Sequence, residues 1–255
     1  MSTSRPKGSL YTNIQDNIAT IEFGHPASNS FVIELLERLT KEFNKISEDD
    51  TVNVIILKSE GDKAFCAGAS FDELMAVSNL EEGKIFFSGF ANVINAMRKC
   101  NKIIVGRVQG KTVGGGVGLA AACDYVFASV NASIRLSELT IGIAPFVIVP
   151  AVERKIGTAA LSELSLSPTE WKSAYWAQEK GLFSKVFDHI NELDKELDIF
   201  TNNLADYNPQ ALEDWKKVLW EHTDHWDIIL SERAAITGKL VLSEFTKKAL
   251  AKFSK

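Results

Sequence analysis

The chain has 255 residues, 45% of them hydrophobic, with 28 Lys and Arg against 33 Asp and Glu for a formal net charge of −5. That length and apolar content suit one α/β domain with a modest appendage, and they exclude disorder as the default state. The negative balance and the lack of long basic runs argue against a nucleic-acid partner, and no apolar run is long enough to span a membrane.

Met1 to Ser9 carries Arg5 and Lys7 but no apolar h-region, so it reads as a short disordered lead-in rather than a secretory signal. Leu10–Gln15 and Ile18–Phe23 flank the turn pair Asp16-Asn17, which predicts a hairpin. After the loop His25 to Asn29, the four-residue steps Phe31, Leu35, Leu39 and Phe43 predict a helix to Ile46. Thr51–Ser59 contains V-N-V-I-I-L, a buried strand, and Glu60 to Lys63 is a turn. A-F-C-A-G-A-S-F-D-E-L, residues 64–74, is a short apolar piece meeting a small-residue loop, with Ser70 placed to cap a helix from Phe71. Leu80 to Arg98 is a long helix whose apolar side includes Phe86, Phe87 and Phe90.

The strand Ile103–Val108 then runs into Q-G-K-T-V-G-G-G-V-G-L-A-A-A-C-D, residues 109–124. This predicts strand, tight loop and helix start, with the amides of Gly114 to Gly116 near a helix N-terminus, where negative charge is favoured. A Gly-rich turn that merely permits close packing fits the same residues. Tyr125–Ser129 and Ser133–Leu136 predict further strands. From Phe146 onward helices are expected over Ile148–Ile156, Ala159–Ser165, Thr169–Lys180, Glu192–Ala205, Pro209–Glu221 and Trp226–Phe253. Apolar residues on more than one face of the last segment suit packing on another subunit or burial within the chain.

Cys66, Cys100 and Cys123 are an odd set without zinc-type spacing, consistent with reduced thiols and a cytoplasmic location. His222 and His225 could share a helix face, but no further ligands accompany them, so no metal site is expected. Gly106 to Thr112 approximates a phosphate loop with one residue too few between its glycines. Gly116-Val-Gly118-Leu-Ala-Ala121 fits G-x-G-x-x-A with Glu138 about twenty residues on, but Gln109 to Gly115 separate it from its strand. Tyr175 and Lys180 are one residue too far apart for a Tyr-x-x-x-Lys pair. A nicotinamide-dependent oxidoreductase is therefore a weak outside alternative.

Four pieces in order carry a resemblance: residues 64–74, V-G-G-G-V-G-L-A-A-A-C-D at 113–124, L-S-E-L-T-I-G-I-A-P at 136–145, and S-E-F-T-K-K at 243–248. Over nearly its full length the chain resembles the enoyl-CoA hydratase/isomerase (crotonase) superfamily, and in some stretches its methylglutaconyl-type hydratases. The resemblance implies an α/β fold: a ββα spiral core over residues 1–200 with the acyl-CoA site, and a C-terminal helical trimerisation region over 201–255. It implies a homotrimer or a dimer of trimers, and a coenzyme A thioester as substrate with no cofactor. Two backbone amides, those of Ala69 and Gly115 by position, would hold the thioester oxygen. Glu138 would be the catalytic carboxylate. Ala27, Ser28, Ala67 and Gly68, with Phe245 and Lys248 from the C-terminal helix, would contact coenzyme A. Classical hydratases carry an earlier glutamate too, and Gly118 stands there instead.

The reaction expected on this basis is hydration of a 2-enoyl-CoA to a 3-hydroxyacyl-CoA. The alternatives are a Δ3,Δ2-enoyl-CoA isomerase using a single glutamate and a catalytically silent acyl-CoA-binding protein. Asp124 is expected to be structural. Arg135, in place of a small residue, is expected to face solvent, the alternative being contact with a distal substrate carboxylate.

Overall fold

Strands apolar on both faces belong inside a covered parallel sheet, and the two most apolar runs, V-I-I-L and I-I-V-G-R-V, take central places. The computed structural model describes residues 7–252. In chain order the first elements are β1 (Ser9–Gln15), β2 (Ile18–Gly24), α1 (Ile33–Ser47), β3 (Val54–Ser59) and β4 (Ala64–Cys66). Then come α2 (Phe71–Ala76), α3 (Leu80–Lys99), β5 (Ile103–Val108), β6 (Lys111–Val113), α4 (Gly115–Ala122), β7 (Tyr125–Ser129) and β8 (Ser133–Arg135). A 3-10 turn (Glu138–Ile141) leads to α5 (Val149–Leu166), β9 (Lys172–Ser173), α6 (Ala174–Glu179) and β10 (Lys185–Phe187). The chain closes with α7 (Ile190–Ala205), α8 (Pro209–Leu219), α9 (Trp226–Val241) and α10 (Glu244–Leu250).

Two sheets result. The larger has the order β1-β2-β3-β5-β7-β10, parallel except for the β1–β2 hairpin, and the smaller has the order β4-β6-β8-β9. Three successive stretches each place a strand in the large sheet, a short strand in the small one, and then helical structure: β3-β4-α2, β5-β6-α4 and β7-β8 with the 3-10 turn. This is the expected ββα spiral. It leaves the ends of β4, β6 and β8 side by side.

Several local expectations change. The stretch between Gln109 and Gly115 is not only loop, because β6 pairs with β4 and β8. Thr169–Lys180 is not one helix: β9 pairs antiparallel with β8, and Ser173 Oγ caps the short α6 by accepting from Trp176 N. The two helices expected over Ile148–Ser165 are present and meet at a kink at Gly157, whose backbone is non-helical; they are named together as α5. The long C-terminal helix divides at Ser243, whose Oγ accepts from Thr246 N and starts α10; Phe253 lies outside the described residues. His222 sits in a turn and His225 precedes α9, so they do not share a helix face. At the other end Ser9 is already the buried first residue of β1, and Met1 to Pro6 lie outside the described residues.

One apolar face of α9 is covered from within the chain. Leu230, Ala234 and Val241 are buried, while Ile228 and Ile236 remain exposed. α9 lies along α3, and Gly83 and Gly238 meet at their crossing: a Cβ on Gly83 would lie 2.7 Å from Gly238 O. Asp124 is structural, as expected. Its carboxylate accepts from Lys216 Nζ at 2.6 Å, Trp220 Nε1 at 2.7 Å and Ile104 N at 2.7 Å. Lys155 Nζ donates to its backbone oxygen at 2.9 Å. The bond between the almost fully buried Lys216 and Asp124 side chains ties α8 to the head of β5.

Candidate active site

The site grows from two loops at the ends of the small sheet. After β4, residues Ala67 to Ser70 turn back against Phe31: Phe31 N donates to Gly68 O at 2.8 Å, and Ser70 N donates to Phe31 O at 2.7 Å. In such a parallel bridge Ala69 directs its own N–H to the opposite side, toward the cavity described below. After β6, Gly114 has φ 52°, a conformation suited to glycine, and stands directly before α4. Its N–H donates to Arg135 O at 3.0 Å. Gly115 is then the first residue of α4, where an N–H has no partner inside the helix. Among the described residues neither Ala69 N nor Gly115 N donates to a loop carbonyl. Two amides thus border one space, with the positive end of α4 behind one of them.

Glu138 opens the 3-10 turn after β8. The site for a Cβ on Gly114 lies only 2.9 Å from Glu138 Oε1, so glycine is what lets the carboxylate approach this loop. Glu138 Oε2 is enclosed and has no hydrogen-bond partner. Burial pushes the carboxyl up to about 7, while its own backbone N–H and the Arg135 guanidinium pull the other way. Near neutrality such a group exists in both forms, which suits proton transfer in either direction. Cys66 also lies beside the loops, where burial pushes its thiol up to about 12 and so disfavours the thiolate.

A cavity of about 290 Å³ joins these groups. Ala67, Gly68, Ala69, Gly114, Gly115 and Glu138 line it, together with an apolar wall that includes Phe71, Leu74, Phe87, Phe90, Phe146 and Ile148. A Cβ on Gly118 would collide with Ile148 Cγ2, so the space a longer side chain at 118 would enter is filled by that isoleucine. Among the described residues Glu138 is the one carboxylate lining the cavity, and Arg135 the one cation.

The other candidate residues are placed less centrally. Ala27 and Ser28 form an exposed loop tied to the first amide loop, because Ala67 N donates to Ser28 O at 3.1 Å. Asn29 holds this loop by donating to Glu60 O and Ala64 O. Phe245 is 66% exposed and packs against Gly142 at the end of the 3-10 turn, and Lys248 is exposed; neither lines the cavity. Arg135 departs from expectation. It lines the cavity rather than simply facing solvent, and its guanidinium lies 4.5 Å from the Trp171 ring centroid. Sequence reasoning also missed Thr237, a cavity residue supplied by α9, for which no motif exists.

A family model described as Enoyl-CoA hydratase/isomerase matches residues 13–249. The chain is 29% identical over 212 residues to the 2,3-dehydroadipyl-CoA hydratase of Escherichia coli, covering 82% of this chain and 81% of that protein. It is 26% identical over 203 residues to the peroxisomal Delta(3,5)-Delta(2,4)-dienoyl-CoA isomerase of Arabidopsis thaliana, covering 75% and 72%. The crystal structure of an enoyl-CoA hydratase from Bacillus halodurans superposes with a TM-score of 0.89 at 20% identity, over 95% of this chain and 99% of that one. Among the described residues no helix is long and apolar enough to cross a membrane.

Proposed function

The chain belongs to the enoyl-CoA hydratase/isomerase family, and from that premise we propose that it moves a double bond along an acyl-CoA chain, with Glu138 as the single proton carrier. In this reading the thioester oxygen of a 3-enoyl-CoA rests between Ala69 N–H and Gly115 N–H. The Glu138 carboxylate takes a proton from C2, and the negative charge that spreads onto the oxygen is met by the two amides. The same carboxyl then returns the proton at C4, leaving the double bond between C2 and C3. Each preorganised donor of this kind is worth about 10²–10³ in rate. No cofactor enters the step.

The observation that carries this choice is the filling of the space beside Gly118 by Ile148. Water addition in the classical two-glutamate manner uses a carboxylate there, whereas a lone carboxyl poised near neutrality suits a shuttle between carbons. Hydration, the reaction expected from sequence, is the second reading. It is favoured by Glu138 Oε2, an enclosed acceptor without a partner and so available to orient a water. Phe245 and Lys248, outside the cavity of the single chain, would in the proposed homotrimer face coenzyme A at a neighbouring site.

A 2-enoyl-CoA and a 3-enoyl-CoA supplied separately in deuterated water, with products read by mass, test the choice. Isomerisation expects the 3-enoyl ester to become the 2-enoyl ester without gain of water, and Glu138→Gln to slow this by about 10²–10⁴-fold. A hydroxyacyl product from the 2-enoyl ester would replace this reading with hydration. Inertness of both esters alongside measurable binding would leave an acyl-CoA-binding protein.

A further inference from the structure

Among the described residues Arg135 is a cation without a salt-bridge partner. Its Nε is buried and has no hydrogen-bond partner, and among the described residues its side chain forms no hydrogen bond and no ion pair. Glu138 lines the same cavity and feels the guanidinium's charge, yet no ion pair joins the two within 4.0 Å. What holds the guanidinium is Trp171, whose ring centroid lies 4.5 Å from Arg135 Cζ; Lys111 Nζ stands 5.2 Å from the same ring. A planar aromatic face fixes a guanidinium's orientation while leaving its edge donors unused. The backbone is fixed as well, because Arg135 O accepts from Gly114 N in the second amide loop. An enclosed, unsatisfied N–H on a permanently charged group is costly unless something else meets it. Beyond Glu138 the side chains lining the cavity offer only hydroxyls and apolar groups to do so.

We propose that Arg135 is the specificity determinant of this cavity and that it selects acyl-CoA esters whose acyl chain carries a second, distal carboxylate. The inference rests on the acyl-CoA reading above but not on which reaction follows. The carboxylate of the acyl group meets the guanidinium edge while the thioester oxygen occupies the two amides. Charge-assisted pairing of this kind makes the carboxylated ester the better ligand, and a neutral acyl group of equal length leaves the buried Nε–H unpaired. The same asymmetry gives large discrimination where a site is built to satisfy a polar group. A coenzyme A phosphate is the other anion at hand, and the experiment separates it from the acyl carboxylate.

Calorimetry would compare three ligands: a saturated acyl-CoA ending in carboxylate, the same acyl-CoA ending in methyl, and coenzyme A alone. The saturated esters cannot react, so the readout does not depend on the assignment of the reaction. The parent protein is expected to prefer the carboxylated ester roughly 10–100-fold. Arg135→Met is expected to bring that ratio to about one, and Arg135→Lys, which keeps charge but loses the planar fork, to leave an intermediate ratio. Equal affinity of the parent for both esters would overturn the proposal. So would an Arg135→Met protein that binds all three ligands more weakly in parallel, which would assign Arg135 to a coenzyme A phosphate. Failure of every ligand to bind the parent would instead remove the acyl-CoA reading on which the proposal stands.

Discussion

Glu138 is the proton carrier of the proposed reaction, and its surroundings also make it a pH-dependent element of stability. Its carboxyl is raised from 4.5 to about 7 by burial. Between those values the folded protein retains a proton that the unfolded chain has released. Stability therefore falls as pH rises through that window and is level above it. A rise of that size corresponds to about 3 kcal/mol at most. Glu138→Gln removes the titration, so calorimetric melts should show the variant matching the parent near about pH 5 and exceeding it near about pH 8. A parent that gains stability relative to the variant over that range would mean that the folded state favours the ionised carboxylate. At this scale the sequence was readable where a motif fixes backbone geometry, as at Ala69, Gly115 and Glu138. It was not readable where a side chain's role depends on what faces it. Arg135 looked like a surface cation because nothing in S-I-R-L-S-E says that Trp171 stands opposite. Gly118 announced a missing carboxylate, but not that Ile148 occupies its place.

Among the elements, those with a long apolar period were legible and those held only by neighbours were not. α1, α3 and α7 begin and end close to where periodicity and capping residues put them. The strands β6, β9 and β10 have three, two and three residues. Runs that short have no periodicity to detect, and they extend because a partner strand offers hydrogen bonds. α4 is apolar on every side and gives no amphipathic signal, as suits a helix packed within the core. Cys123 and then Asp124 follow it, and the Asp124 carboxylate binds the start of β5, α8 through Lys216, and Trp220. Lys216→Met keeps the length of the side chain but leaves the buried carboxylate without its cation. Such removal typically costs about 3–5 kcal/mol, so urea unfolding should show a large drop in midpoint. A loss below about 0.5 kcal/mol, the usual range for a surface substitution, would mean that Trp220, the Ile104 amide and the nearby Lys155 suffice.

On the scale of the whole molecule, the C-terminal segment is part of the cavity wall. Thr237 reaches the cavity from α9, more than a hundred residues after the amide loops and ninety-nine after Glu138. A non-reactive acyl-CoA at saturation should therefore slow amide exchange in α9 more than in α7, which packs against the large sheet. Mass spectrometry of the exchanged protein checks this, and unchanged exchange in α9 would separate that helix from the ligand. The ββα spiral followed from recurring strand–loop–helix units and the family resemblance, but this closure did not, since a small polar residue on a C-terminal helix carries no motif. Its geometry depends on Gly83 and Gly238, which let α3 and α9 cross without intervening side chains. One wall of the cavity thus hangs on a gauge outside the amide loops: the distance between two helix axes. A methyl group added at either glycine would meet the backbone of the other helix, and the two helices that give way to it carry Phe87, Phe90 and Thr237 of the cavity wall.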